Sequence, residues 1–200
     1  MQIKQNINNI LKEIPENVEL ITVSKNRTIN EILEAYKAGQ RNFGENQVKE
    51  LKEKVEKLPK DIKWHMIGHL QRNKVKYIAS FITLIHSVDS IKLLLEINKR
   101  ATQFNKIINC LLQVHIAEEK TKYGFSIHEI ENILQDQKKY KNIRIKGLMG
   151  MATFTNNKKQ IEKEFSTLNK IFNKIKNQNM NILSMGMSND YNIAIKNGSN

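Results

Sequence analysis

The chain has a single cysteine and no long apolar run, and each scarcity excludes a class of protein. Only Cys110 carries a thiol among the 200 residues, so no disulfide can form within the chain. This is typical of proteins in a reducing compartment. No apolar run reaches the length that crosses a bilayer, and residues 1–6 lack the apolar core of a secretion signal. We therefore expect a cytoplasmic protein that is not embedded in a membrane.

The net charge of +13 raises the question of nucleic-acid binding. The lysines are spread along the whole chain instead of forming one block, and Lys, Asn and Ile are over-used together. Such a joint excess indicates a compositional bias, which raises the isoelectric point without building a binding face. No helix-turn-helix, zinc-knuckle or RNA-binding-sheet motif is present. We expect no specific nucleic-acid partner, and only a nonspecific attraction to polyanions.

Short apolar runs alternate with amphipathic segments along the chain. Seven predicted strands begin near residues 19, 41, 63, 83, 108, 143 and 181, and a predicted helix follows each of them. Because no hairpin signal is present, this rhythm predicts an α/β fold with a parallel sheet. Two architectures fit, an open doubly wound sheet and a (β/α) barrel. Polar residues at the carboxyl ends of many successive strands favour the barrel, where those ends converge. A closed barrel needs an eighth strand, and the sequence pattern predicts none up to Asn200. We expect one domain over residues 1–200.

Lys25 ends the apolar run that begins at Leu20. A buried lysine at a strand end is a nucleophile because desolvation disfavours its charged form. We predict that Lys25 forms a Schiff base with an aldehyde cofactor. The alternative is a lysine whose side chain simply reaches from the strand end into water.

Asn46 closes the segment Phe43-Gly44-Glu45-Asn46 at a predicted strand-to-helix turn. One interpretation is that its amide hydrogen-bonds a ring oxygen of a bound ligand. The other is that Asn46 caps the following helix and Gly44 permits the tight turn. The residue types alone do not decide between these two roles of Asn46.

Residues 184–190 form a strand end, a small-residue turn and the predicted start of a helix capped by Ser188. Exposed backbone N–H groups beside Gly186, together with the hydroxyls of Ser184 and Ser188, suit a phosphate group. The alternative is an ordinary capped junction. Together with an amine at Lys25, this turn is what a phosphorylated aldehyde would need.

The histidines do not predict a metal site. His65 and His69 are four residues apart at an apolar strand end, and on a strand that spacing separates them by roughly 13 Å. The segment from His86 to Ser90 contains Ser, His and Asp, but neighbouring strand residues point to opposite faces and no nucleophile elbow is present. We expect a strand end followed by helix caps there, and a lining role for the loop Gly68 to Lys74.

Six ordered segments together resemble the pyridoxal-phosphate homeostasis proteins, over essentially the whole chain. They are Val23 to Lys25, Phe43 to Asn46, His65 to Lys74, His86 to Asp89, Lys146 to Met149, and Ser184 to Asp190.

The resemblance implies a barrel like the N-terminal domain of alanine racemase, with pyridoxal 5′-phosphate held on Lys25. It also implies that Asn46 lies near the cofactor ring and that Ser184, Gly186, Met187 and Ser188 hold the phosphate. The implied function is intracellular vitamin B6 homeostasis without turnover. We expect a monomer with recipient apo-enzymes as partners. The alternative is a pyridoxal-phosphate-dependent amino-acid racemase, although we expect no second domain to supply a substrate-side base.

The sequence departs from the family at its end. The family continues past Ser199 into a last strand with an Arg-Ile-Gly motif, whose arginine faces the pyridine nitrogen. Without this strand we expect unpaired edges on the first and seventh strands and weaker cofactor retention.

Overall fold

Strands and helices alternate along the chain in the computed structural model, which describes residues 2–119 and 123–200. The strands are β1 (Thr22–Val23), β2 (Asn42–Glu45), β3 (Lys63–Met66), β4 (Leu84–Val88), β5 (Ile108–Gln113), β6 (Ile143–Met149) and β7 (Ile182–Ser184). The α-helices are α1 (Gln2–Glu13), α2 (Ile29–Lys37), α3 (Val48–Lys57), α4 (Ile91–Gln103), α5 (Ile127–Gln135), α6 (Lys158–Ile175) and α7 (Tyr191–Lys196), with 3-10 helices at Arg72–Tyr77 and Gln137–Lys139. Within these ranges, none of the helices combines the length and the apolar character that a membrane span requires.

All seven strands belong to one parallel sheet whose spatial order follows the sequence, from β1 to β7. Each connection crosses over the sheet and carries helical structure, as parallel neighbours require. The register shifts within the β4–β5 and the β5–β6 pairings, and such irregularities increase the local bend of a sheet. The prediction of an α/β barrel-like fold, with seven strands and no eighth in the described ranges, is confirmed.

Residues at alternate positions of the strands face two different apolar layers, because successive side chains on a strand point to opposite faces. Ile85, Cys110 and Leu148 belong to the large core that the helices cover. Their sequence neighbours Leu84, Leu111 and Met149 form a separate small cluster on the other, concave face. The interior of the curved sheet is therefore partly filled by apolar side chains and partly left to polar ones.

The last two residues of the sequence, Ser199 and Asn200, lie in the space between β7 and β1. Asn200 donates its backbone N–H to Leu183 O (3.2 Å), and its own carbonyl oxygen accepts from Glu19 N (2.7 Å). Ser199 Oγ lies 2.8 Å from Met185 O. The expectation that both edge strands are unpaired is therefore wrong for this part of the edge of β7. Asn200 links the backbone of Leu183 in β7 to that of Glu19, which precedes β1.

Several sequence-based boundaries are confirmed and others are corrected. Capping boxes begin two of the predicted helices, Thr28 with Glu31 at α2 and Ser126 with Glu129 at α5. The helix predicted after the third strand is the 3-10 helix Arg72–Tyr77. The strand predicted to begin near residue 19 is reduced to Thr22–Val23. Because β1 is an end strand of the sheet, Val23 is 45 % exposed instead of buried.

Candidate cofactor site at the carboxyl ends of the strands

Lys25 lies two residues after the end of β1, at the rim formed by the carboxyl ends of the strands. The residue is exposed, and its side-chain nitrogen makes no hydrogen bond within the described part of the chain. The expectation that Lys25 is buried at the strand end is therefore wrong, because β1 has a neighbouring strand on one side only. What remains of the prediction is an unpaired primary amine at the edge of the barrel interior.

Asn46 lies beside Lys25. Val23 is paired with Gly44 in the β1–β2 register, so two residues further along each chain Lys25 is level with Asn46. The interpretation of Asn46 as a helix cap is wrong, since Gln47 occupies the N-cap of α3 and caps it with no side-chain hydrogen bond. The Asn46 amide forms no hydrogen bond within the described residues, which leaves it available to a ligand.

Gly68 lets the loop after β3 approach this position closely. A Cβ atom at residue 68 would lie 2.5 Å from the backbone oxygen of Asn46 and 2.7 Å from its Cα. No L side chain fits that space, so Gly68 fixes the distance between the ends of β2 and β3. The lining role of this loop stays a prediction.

The turn after β7 presents backbone donors at the same rim. The N–H groups of Gly186, Ser188 and Asn189 make no hydrogen bond within the described ranges, whereas Met187 N donates to Asp190 Oδ1 (2.5 Å). The prediction that Ser188 caps the last helix is wrong, because Asp190 occupies the N-cap of α7. Asp190 instead closes the turn by accepting from Met187 N, and it takes none of the other three N–H groups. A cradle of this kind suits a phosphate group.

Gly186 allows this turn to pack against α7. Its φ is +98°, and a Cβ there would lie 2.8 Å from the Cβ of Ala194 and 2.9 Å from the Cα of Tyr191. Both the backbone conformation and the space therefore require glycine. Met187 and Ser188, the other two predicted phosphate residues in the turn, are exposed.

Ser184 ends β7 and is hydrogen-bonded across the barrel interior to a histidine of β4. His86 Nδ1 lies 2.9 Å from Ser184 Oγ, and His86 Nε2 lies 2.9 Å from His65 Nδ1. His65 Nε2 in turn lies 3.2 Å from Asn42 Oδ1, and Asn42 Nδ2 donates to Glu19 Oε1 at 2.7 Å. We call this chain of five side chains the histidine relay. Sequence reasoning missed it, although Asn42, His65 and His86 are polar residues within otherwise apolar strands.

The histidine relay has one hydrogen-bond direction. The carboxylate of Glu19 only accepts, so Asn42 turns its NH₂ group to Glu19 and its oxygen to His65. His65 therefore carries its hydrogen on Nε2 and accepts at Nδ1 from the Nε2–H of His86. His86 Nδ1 then accepts from Ser184, because a neutral imidazole has one donor and one acceptor. The hydroxyl hydrogen of Ser184 is thus directed to His86, and only its lone pairs are free.

Burial keeps both histidines neutral. His65 and His86 are each only 3 % exposed. Desolvation lowers the pKa of His65 to about 4, with the charge of Lys63 as the smaller cause. It lowers the pKa of His86 to about 3, with His65 as the smaller cause. Both imidazoles are therefore uncharged at neutral pH.

The remaining histidine at the rim contacts different groups. His69 Nδ1 lies 2.8 Å from Asp89 Oδ2, and its ring stacks on Tyr123 at a centroid distance of 4.2 Å. His65 and His69 therefore have separate partners. Over residues 2–119 and 123–200, no three His, Cys, Asp or Glu side chains are grouped so as to hold a metal ion.

An amine, an amide and three backbone N–H groups, all unpaired within the described residues, thus lie on one rim of a parallel α/β half-barrel. This donor set fits a ligand that carries both an aldehyde and a phosphate. The arrangement of strands and rim defines a protein of the parallel α/β barrel class, in which ligands are bound at the carboxyl ends of the strands.

The chain belongs to the family described as alanine racemase, N-terminal domain, whose model matches residues 1–197. Curated relatives include the pyridoxal phosphate homeostasis protein of Helicobacter pylori, 43 % identical over 92 % of this chain and 83 % of the relative. The protein of the same name from Schizosaccharomyces pombe is 36 % identical over 92 % of this chain and 79 % of its own length.

Solved structures resemble the whole described fold. PipY of Synechococcus elongatus, in a structure described as having PLP bound, is 31 % identical with a TM-score of 0.89, and the match covers 98 % of this chain and 94 % of PipY. Alanine racemase from Bartonella henselae has a TM-score of 0.71 at 15 % identity, over 92 % of this chain and 54 % of the racemase. The likeness to the racemase shows the fold alone.

Proposed function

We propose that the protein binds pyridoxal 5′-phosphate and serves intracellular vitamin B6 homeostasis, without turning over a substrate. The observation that carries this proposal is that the Lys25 amine lies on the same rim as three N–H groups of the turn after β7, all of them unpaired within the described residues. The names of the relatives and the PLP-bound structure of PipY support it. Lys25, Asn46, Ser184, Gly186, Met187 and Ser188 are the proposed ligand-binding residues.

Each group has a separate part in binding. Bound pyridoxal 5′-phosphate would supply an aldehyde that can condense with a primary amine, with loss of one water. Lys25 provides that amine at the rim. The N–H groups of Gly186, Ser188 and Asn189 donate to the phosphate, and the amide of Asn46, level with Lys25, is free to hydrogen-bond a polar ring substituent. The exposed rim leaves the bound ligand open to transfer to a recipient apo-enzyme.

Titration with pyridoxal 5′-phosphate tests the proposal. We expect a visible absorption band in the wild-type protein and, after borohydride reduction, a mass increment on the peptide that contains Lys25. Lys25→Arg keeps the positive charge but has no condensing amine, so both signals should disappear. Lys37→Arg, which makes the same change at an exposed lysine in the last turn of α2, is the matched control and should retain both.

Two results would overturn the assignment. A band that persists in the Lys25→Arg variant would place the covalent site on another lysine. Racemisation of an amino acid above the rate given by the free cofactor would show that the protein is an enzyme.

A further inference from the structure

Lys54 is the centre of a buried group of charged residues next to the site. The residue is 4 % exposed, on the apolar face of α3 between Leu51 and Leu58. Its Nζ donates to Glu45 Oε1 (2.7 Å), Glu50 Oε1 (2.5 Å) and the backbone oxygen of Ser24 (2.6 Å). Three acceptors match the three hydrogens of an ammonium group, which is the condition for burying one. We call Glu45, Glu50 and Lys54 the buried ion cluster.

The buried ion cluster holds the backbone on both sides of Lys25. On the preceding side, Ser24 accepts from Lys54 through its carbonyl oxygen and donates its hydroxyl to Glu45 Oε1 at 2.6 Å. On the following side, Asn26 N donates to Glu50 Oε1 at 2.7 Å. Asn26 has a φ of +60°, a left-handed conformation that sets the direction of the turn. Lys25 lies between two anchored residues while its own side chain takes no part in the cluster.

A gain in folding free energy does not account for the buried ion cluster. A buried ion pair is often no more stabilising than apolar residues of the same size. Glu45 is fully buried, and its Oε2 has no hydrogen-bond partner within the described residues. Burial raises the pKa of Glu45, against the opposing effect of Lys54 and Ser24. A group that costs free energy in this way is expected where it serves a function.

We propose that the buried ion cluster of Glu45, Glu50 and Lys54 positions Lys25 for covalent capture of the ligand. None of the three contacts the ligand; they act through the backbone of Ser24 and Asn26. The inference rests on the proposed function, since it assigns these residues a role in the reaction of Lys25. Misplacement of a reacting group by about 1 Å can slow its reaction by about 100-fold. A small movement of the turn between Ser24 and Asn26 is therefore enough to slow the reaction of Lys25.

Three variants separate positioning from folding. Glu50→Ala removes the acceptor for Asn26 N but leaves the buried Lys54–Glu45 pair, whereas Glu50→Gln keeps an acceptor oxygen. Glu53→Ala removes an exposed carboxylate from the same helix and is the matched control. We expect Glu50→Ala to form the Lys25 adduct about tenfold more slowly, and the other two variants to react like the wild type. Amide exchange at Asn26, measured without ligand, should accelerate in Glu50→Ala alone.

A non-aldehyde ligand distinguishes positioning from pocket integrity. Pyridoxine 5′-phosphate binds the phosphate cradle but cannot condense with Lys25, so its affinity for Glu50→Ala should stay within about twofold of the wild-type value. The double variant Glu45→Met/Lys54→Met replaces the charges with apolar side chains. It should keep the urea midpoint of the wild type and still react slowly.

The experiments distinguish a failure of the proposed function from a failure of the positioning role. A wild-type protein that forms no adduct at Lys25 overturns the proposed function and, with it, this role. An adduct that forms equally fast in the wild type and in Glu50→Ala overturns the positioning role alone. So does an equal loss of pyridoxine 5′-phosphate binding, which would show that the cluster supports the whole pocket.

Discussion

The imidazole of His86 on β4 and the hydroxyl of Ser184 on β7 are joined by a hydrogen bond of 2.9 Å. In a flat sheet these strands would be three spacings, roughly 14 Å, apart. Their contact therefore requires the sheet to curve so far that side chains meet across its interior. This one bond excludes an open doubly wound sheet and connects the predicted phosphate residue Ser184 to a buried polar network.

The direction of the histidine relay predicts the tautomers of both rings. We expect His65 and His86 each to carry a hydrogen on Nε2 and none on Nδ1 at neutral pH, because Glu19 at the end of the relay can only accept. Nitrogen-15 NMR of the imidazoles distinguishes the two forms. Replacing Glu19 with Gln removes the fixed acceptor, so this variant should show mixed tautomers. An Nδ1–H signal from His86 in the wild type would contradict the assigned direction.

Binding of a phosphate near Ser184 is expected to reverse the relay. A phosphate oxygen accepts hydrogen bonds, so Ser184 can contact it only by turning its hydrogen away from His86. His86 must then donate from Nδ1 to Ser184, and His65 must donate from Nδ1 to His86. Asn42 must turn its NH₂ group to His65 Nε2, which breaks its bond to Glu19, and water can replace that bond because Glu19 is exposed. NMR spectra with and without pyridoxal 5′-phosphate test this, and Ser184→Ala is the control in which the ligand should leave the tautomers unchanged. Retained Nε2–H tautomers in the bound wild type would show that Ser184 does not donate to the phosphate.

The contrast between these residues shows what the sequence could and could not predict. Lys25, Asn46 and Ser184 follow predicted strands, and the carboxyl ends of parallel strands share one rim, so their grouping follows from the strand rhythm. The bond between His86 and Ser184 depends on how strongly the whole sheet curves, which no local periodicity encodes. The exposure of Lys25 was missed because burial on an end strand depends on what lies beyond the edge.

Lys54 was open to prediction. It is three residues after Leu51 and four before Leu58, which is the spacing of one helix face. A lysine on an apolar face calls for a buried partner, and Glu45 is the acidic residue at the end of the preceding strand. The contact of Lys54 with Ser24 could not be predicted in this way, because it depends on the pairing of β1 with β2.

The two neutral histidines should make the protein less stable in mild acid. In the unfolded chain the imidazoles have a pKa near 6.5, whereas that of His86 in the fold is about 3. Below about pH 6.5 the unfolded state therefore binds more protons, and the free energy of unfolding falls as pH falls towards the folded values. Each histidine should remove about 2 kcal/mol between about pH 7 and about pH 5. Urea unfolding at both pH values measures this. His86→Gln does not titrate and should lose less stability over the same interval, whereas an unchanged pH dependence would contradict the prediction.

Gly186 and Gly39 offer a matched pair for testing the turn after β7. Their φ values are +98° and +101°, so alanine at either position incurs a similar backbone cost of about 1–2 kcal/mol. A Cβ at residue 39 meets nothing within 4 Å, whereas one at residue 186 would collide with Ala194 and Tyr191 of α7. Gly186→Ala should therefore move the turn that carries the free N–H groups, and pyridoxine 5′-phosphate should bind at least about tenfold more weakly. Gly39→Ala should lose stability to unfolding but keep that affinity, as judged by calorimetry. Equal affinities in the two variants would show that the phosphate is not held by the turn after β7.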